Sequence, residues 1–360
     1  MRLRAAVLLV AAVGIAAASC SEHEQIRSET EHLSIEYIDR EPLCPGSLGD
    51  LEAQLAHVAG FLGVGIPHRI HVLYGESVGE EYCNGAAGCT WGTGASTRVA
   101  SSGLALNHEL VHAVRWSNGV HGTRFVEEGL AEFLGVTPPQ SLVVNVDAPT
   151  ITPGPAVLFD APWNSIGFED YGTAAHFLAW LIEDVGASPV VAFLNDARYT
   201  NADDPSGAFA AVLGRTVTQA EMAWREEAPA EYRWGTKCVP DRIVPWEADG
   251  LSIMGVLDCD DAKTRGTVGT GPLSYPITCF ELSEPMSLHL GMVGDNVTAQ
   301  LFTVECAAET GLSAEHYQRH SVDGGESMTF LFAPCLWAIA IVEDGGETVP
   351  FELRIEPGEG

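Results

Sequence analysis

The chain has 360 residues, 49 of them acidic against 18 basic, and its formal charge is −31. A surface of that sign repels a phosphate backbone and excludes nucleic acid as a partner; its plainest use is solubility. The length allows two domains, each with its own core, and the nine cysteines form an odd set.

In chain order the first element is MRLRAAVLLVAAVGIAAASC, with basic residues at Arg2 and Arg4, an apolar run, small residues and then Cys20. That order specifies a secretion signal over residues 1–19 rather than a membrane span, and no later apolar run approaches the ~18 to 20 residues a span requires. Ala17, Ala18, Ser19 and Cys20 resemble the lipobox of bacterial lipoproteins. The resemblance implies that Cys20 is the lipidated N-terminus of an exported protein anchored to a membrane of the cell envelope. Setting Cys20 aside leaves eight cysteines, a number that can all pair in an oxidising compartment. Cys83 and Cys89, separated by NGAAG, form a local staple, while Cys259, Cys279, Cys306 and Cys335 can pair among themselves, which would send Cys238 to a partner nearer the N-terminus.

SEHEQIRSETEH has no apolar period and reads as a tether over residues 20–32, with folded structure from Leu33. LSIEYI alternates as a strand; Leu51, Leu55, Val58, Ala59 and Leu62 follow at helical spacing with Ser47 and Asp50 as a capping pair; RIHVLYG is a second strand. TWGTGASTRVASS is an edge strand or loop before a helix that begins near Leu104. Helices then dominate to about Glu227, including DYGTAAHFLAWLIEDVG and TQAEMAWREEA, the latter with Thr218 and Glu221 at capping-box spacing. After WGTKCVPDRIVPW the helical period does not return. Runs such as MSLHLGMV, VTAQLFTV, SMTFLFA, CLWAIAIV and VPFELRI, separated by turn residues, predict an all-β antiparallel sandwich over 249–360, joined by a linker at 236–248. This last region resembles the β-sandwich modules appended to many secreted bacterial peptidases.

The chemistry concentrates in NHELVHAVRWSNGVHGTRFVEEGLAEFLG, residues 107–135. Four residues advance about 400° on a helix, so His108 and His112 share a face with room for one metal ion between them. Glu109 stands beside them as a base for a metal-activated water. Leu106, Leu110 and Ala113 lie on the opposite side. In the next helix Val126, Leu130, Phe133 and Leu134 form an apolar stripe, which turns Glu128 and Glu132 together to the other side. Glu128 can complete a His/His/Glu set, and Glu132 can accept the ring N–H of a ligand histidine. Glu127, about 100° round the helix, and His121, in the loop GVHGT, compete for the third-ligand place.

HELVH followed by EEGLAEF resembles the gluzincin zinc metallopeptidases, the group that includes the thermolysin-like and aminopeptidase-like enzymes. The resemblance covers roughly residues 90 to 185, with its specific motifs between 108 and 132. It implies an α+β zincin-like metallopeptidase domain over 33–235 that binds Zn2+ through His108, His112 and Glu128 and hydrolyses a peptide or protein substrate. Glu109 is then the general base and Glu132 the carboxylate behind a ligand histidine. The fifteen residues between His112 and Glu128 are fewer than in the best-known members and call for a compact connecting loop. Tyr171, at the start of YGTAAHFLAWL, is the implied donor to the oxyanion, with His176 as the weaker candidate. The alternative is a catalytically inactive or non-peptidase surface lipoprotein that binds a partner through the same fold. No feature of the sequence specifies an oligomeric state.

Overall fold

Leu33, Ile35 and Tyr37 alternate inward along β2 (Leu33–Tyr37), the first long strand of a five-stranded sheet. In the computed structural model, which describes residues 26–103, 105–135, 142–234, 243–247, 250–261, 263–266, 273–306, 319–333, 335–343 and 348–358, that sheet also holds β1 (Arg27–Glu29), β3 (Ile70–Tyr74), β4 (Gly88–Trp91) and β5 (Arg98–Ser101). The signal segment 1–19, Cys20 and Cys238 lie outside the described residues. The strand order is β1-β2-β3-β5-β4. β2, β3 and β5 run parallel, and the two edge strands are antiparallel to their neighbours. Helix α1 (Pro45–Leu62) links β2 to β3 and buries Leu51, Leu55, Val58 and Leu62, the crossover that a parallel pair requires. A short helix α2 (Val78–Tyr82) precedes β4.

The helical layer follows in sequence. Helices α3 (Leu106–Ser117) and α4 (Arg124–Leu134) are joined by a short loop. Beyond β6 (Leu142–Asn145) and α5 (Pro155–Phe159), the long α6 (Phe168–Val185) packs along α4. Helices α7 (Ala187–Leu194), α8 (Ala197–Thr200), α9 (Pro205–Leu213) and α10 (Val217–Glu227) complete the layer, and β7 (Glu231–Trp234) pairs with β6. One continuous apolar core runs from Leu33 to Tyr232 through these elements. Among the described residues no helix is long and apolar enough to cross a membrane.

A second core is built entirely of β-structure. Strands β8 (Leu251–Leu257), β9 (Leu273–Glu281), β10 (Met286–Val293), β11 (Val297–Cys306), β12 (Arg319–Asp323), β13 (Ser327–Phe332), β14 (Cys335–Glu343) and β15 (Val349–Pro357) form two four-stranded antiparallel sheets, in the orders β13-β10-β15-β8 and β12-β11-β14-β9. Leu288, Leu290, Leu353 and Ile355 of one sheet and Leu301, Trp337, Ile339 and Ile341 of the other bury their side chains in that common core. The chain is thus mixed α and β, with its helices ahead of a run of antiparallel strands.

Several local expectations are corrected. Folded structure begins at β1, inside the expected tether, because Arg27–Glu29 add to the edge of β2 and Arg27 pairs with Glu36 at 2.9 Å. Within the expected linker, Val244 donates to Cys279 O at 2.8 Å and Trp246 packs on Phe280, so residues 243–247 adjoin the second core. Helix α10 is capped by Thr216 with Gln219, two residues ahead of the expected Thr218 and Glu221; Glu221 instead accepts from Ala156 N and Arg225. Helix α1 starts at Pro45, whose fixed φ suits a first helical residue, so Ser47 and Asp50 are already inside it.

Those two side chains reach the second core. Ser47 Oγ accepts from Gly266 N at 2.8 Å, and Asp50 accepts from Arg265 at 2.8 Å. Beside them Cys44 is disulfide-bonded to Cys259, 215 positions away, with Cα atoms 5.0 Å apart. Cys259 therefore does not pair among the C-terminal four, although Cys279 and Cys335 are also disulfide-bonded. The expected Cys83–Cys89 staple is present. A cross-link closing so long a loop restricts the unfolded chain strongly, so the double variant Cys44→Ser/Cys259→Ser should lose about 2–5 kcal/mol of stability, read as a lowered calorimetric unfolding temperature. An unchanged temperature, with two extra titratable thiols in the untreated protein, would refute the cross-link.

Candidate metal centre

Helix α3 carries its histidines on one side because its other side is apolar: Leu106, Leu110, Ala113 and Val114 are buried, and His108 and His112 face α4. Helix α4 does the same with Val126, Leu130 and Leu134, so Glu128 and Glu132 look back at the histidines. His108 Nε2 and His112 Nε2 are 3.2 Å apart, and Glu128 Oε2 lies 3.1 Å from the first and 3.3 Å from the second. Metal–ligand bonds of about 2.0–2.2 Å in tetrahedral array place donor atoms roughly 3.3 Å apart. Three lone-pair donors also converge here, an arrangement that a cation or a proton has to relieve. His108, His112 and Glu128 can hold a metal ion.

The surroundings divide the remaining tasks. His108 Nδ1 lies 3.1 Å from Glu132 Oε1, which fixes this nitrogen as the donor and leaves Nε2 for the cluster. His112 Nδ1 is buried without a hydrogen-bond partner among the described residues. Burial disfavours a charged His108, but Glu128 and Glu132, with Glu109 nearby, outweigh it and push its pKa up to about 10. Burial likewise opposes ionisation of Glu128, yet the two histidines hold its carboxyl well below the usual range. A cation entering this cluster therefore displaces a proton rather than filling a neutral site.

A cavity of about 1040 Å³ opens over the cluster and is lined by β4 and the Cys83–Cys89 loop on one side and by Trp116, Trp163, Phe168 and Tyr171 on the other. Thr90 of β4 donates to Glu109 Oε2 at 2.8 Å. The strand comes this close because residue 88 is glycine: a Cβ there would stand 2.8 Å from Glu109 Cγ. The strand edge beside the cluster is β4; of the stretch TWGTGASTRVASS, expected as an edge strand or loop, Thr90 and Trp91 end that edge strand, whereas Arg98–Ser101 form β5, which lies between β3 and β4. Gly129 serves the other wall, since a Cβ would stand 2.7 Å from the Ala174 carbonyl carbon and hold α6 away from α4.

Tyr171 comes from the first turn of α6, and its ring lies parallel to that of His108 at 5.9 Å. Burial, followed by the Glu128 carboxylate, outweighs Arg124 and pushes its hydroxyl up to about 12, so it keeps its proton through the neutral range. His176 is not at the site: its Nδ1 accepts from Trp224 Nε1 at 3.0 Å and its Nε2 is 3.0 Å from Pro229 O. Glu127 is not at the site either. It is fully buried and accepts two bonds from Arg115, at 3.1 and 2.8 Å, and one from Tyr199 at 2.9 Å. His121 lies away from the cluster, 3.3 Å from Thr93 and against Trp116.

Sequence reasoning missed Arg124, Thr90, Trp116 and Trp163. Arg124, a cation one helical turn before Glu128, and Trp116, one turn after His112, carried a local signal; Thr90 and Trp163 reach the cavity only through tertiary structure.

No protein-family model matches the chain, and no curated protein matches it. Among solved structures it is similar to the pre-peptidase C-terminal domain of a collagenase from Bacillus anthracis, at 12% identity over 32% of this chain and 93% of that one, with a TM-score of 0.22. Similar too are the Yersinia pseudotuberculosis-derived mitogen (11% identity, 32% and 90% covered, TM-score 0.21) and a periplasmic inhibitor of g-type lysozyme from Aeromonas hydrophila (14%, 32% and 96%, 0.21). At these scores none bears on the chemistry of this chain.

Two predictions separate the buried groups from the cluster. Glu127→Ala leaves Arg115 charged and unpaired, so urea unfolding should show a loss of about 3–5 kcal/mol, with any loss of metal accompanying that loss of stability; lost metal at unchanged stability would make Glu127 a ligand instead. For His176, burial lowers the pKa from 6.5 to about 4. The folded state thus resists a proton that the unfolded chain accepts, and the stability this residue contributes is complete above pH 6.5 and declines as pH falls toward 4. Between those pH values the protein should lose roughly 2–3 kcal/mol more than His176→Asn; equal losses would place the proton elsewhere.

Proposed function

We propose that this chain is a zinc-dependent peptidase with a gluzincin-type centre, exported and lipid-anchored through Cys20. The observation that carries the reading is the triangle of His108 Nε2, His112 Nε2 and Glu128 Oε2, with sides of 3.1 to 3.3 Å, at the floor of a cleft that Glu109 also lines. Two histidines and one carboxylate leave a fourth position open, the donor set of a catalytic rather than a structural zinc. When bound there, zinc supplies Lewis-acid polarisation of the scissile carbonyl and lowers the pKa of the attacking water.

The protein's own groups complete the reaction. Glu109, held by Thr90, takes a proton from the attacking water and passes it to the leaving amine. The Tyr171 hydroxyl, protonated at neutral pH, donates to the carbonyl oxygen as negative charge develops there. An extended peptide adds to the exposed edge of β4 by backbone hydrogen bonds, which brings its carbonyl past Glu109. The aromatic wall opposite suits an apolar side chain. Export is supported by residues 1–20 and by disulfides of the kind an oxidising compartment preserves.

Elemental analysis of the soluble form from Ser21, beside activity on casein or mixed peptides, tests the reading. The wild type should carry one zinc per chain. Glu128→Ala should lose the metal, and Glu109→Gln should retain it while cleavage falls about 10²- to 10⁴-fold. A zinc-loaded wild type inert on every peptide would instead favour the non-peptidase alternative.

A further inference from the structure

We infer that Arg124 is a positioning residue for the metal centre: its guanidinium occupies one oxygen of Glu128, so that the carboxylate presents only the other to the metal. The same group holds the Tyr171 hydroxyl at the cleft wall. The role assigned to Tyr171 rests on the peptidase reading; the control of Glu128 rests only on the cluster.

Arg124 opens α4 one turn ahead of Glu128. Its Nε donates to Glu128 Oε1 at 3.2 Å, its Nη2 to Tyr171 Oη at 2.9 Å and its Nη1 to the Trp163 carbonyl at 2.8 Å. The guanidinium carbon lies 5.9 Å from the ring centres of both Trp163 and Tyr171, so the fork is held by its rings as well as by its bonds. Glu128 Oε2 is the oxygen beside His108 and His112. The two oxygens thus have separate partners. A carboxylate with both oxygens available can close on a metal through two bonds, which would occupy a position needed by water or substrate. At Glu128, whose side chain is 8% exposed, that closure would strip a charge-assisted bond from a largely buried carboxylate. Because Arg124 donates to Tyr171, the phenolic oxygen is an acceptor there and keeps its own proton, with the Glu128 carboxylate as a neighbour. Lysine has the charge but not the planar fork, and one ammonium cannot bond Glu128, Tyr171 and Trp163 with this geometry.

The test uses cobalt(II) as the metal and needs no substrate. In full-length soluble protein, Arg124→Lys and Arg124→Gln should bind Co2+ about 10- to 100-fold more weakly than wild type. Their visible absorption should shift from the intense bands of a four-coordinate ion to the weaker bands of a higher-coordinate one. Unfolding temperatures establish that both variants fold, and either folded variant suffices for the comparison. Wild-type affinity and an unchanged spectrum in a folded variant would overturn the inference while leaving the peptidase reading intact. Wild type that binds Co2+ with the expected spectrum but cleaves no peptide would remove the peptidase reading and leave the control of Glu128 standing. No Co2+ uptake by wild type would overturn both.

Discussion

The bidentate ion pair between Arg115 and Glu127 sets the geometry on which the metal cluster depends. Arg115 lies three residues after His112 on α3, and Glu127 is the immediate neighbour of Glu128 on α4. Their side chains are 1% and 0% exposed, and Leu194 O and Tyr199 Oη bond the remaining polar atoms. Two charges taken out of water contribute little net stability even when well paired, but they tolerate almost no rearrangement. Rotating α4 by one residue, about 100°, would either bring Val126 to Arg115 and leave a buried cation unpaired, or bring Gly129 to the histidines and leave the ligand position unfilled. The pair thus decides which of two adjacent glutamates faces the histidines. Gly129 then lets α6 close on the other side of α4, which brings Tyr171 over His108.

The features legible in the sequence are those with a short period. His108 and His112 four residues apart, the stripe of Val126, Leu130 and Leu134, and the alternation of the C-terminal strands each reflect one element's own geometry, and each is found where that geometry places it. The features that escaped depend on partners far along the chain. Ser47 and Asp50 have the spacing of a cap, but Pro45 starts the helix earlier and residues 265 and 266 take their side chains. Cys44 and Cys259 have no local mark of their pairing. The stretch TWGTGASTRVASS has the composition of an edge strand or loop, but being at an edge is a property of the sheet: its first two residues end the edge strand β4, and its last part forms the interior strand β5. Arg124 is visible as an i,i+4 partner of Glu128, but its bonds to Trp163 and Tyr171 are not.

The cavity sets two unlike walls against each other. On one side a short strand, pinned by Thr90 to Glu109 and stapled by Cys83–Cys89, offers backbone groups and little side-chain bulk. On the other stand Trp116, Trp163 and Tyr171, with Phe168 83% exposed at the rim. For the extended peptide proposed as substrate, a strand edge facing an aromatic surface would distinguish backbone from side chains, because hydrogen bonds favour one wall and apolar area the other.

The bond between Cys44 and Cys259 encloses every residue of the metal cluster, both cavity walls and most of the first core in one covalent ring. A single break anywhere in the backbone between those cysteines cannot separate the pieces. Whichever loop is nicked, the histidines of α3 and the glutamate of α4 remain parts of one molecule, and only a second cut or loss of the cross-link lets them diffuse apart. The ring makes damage to a loop a matter of local fraying rather than dissociation.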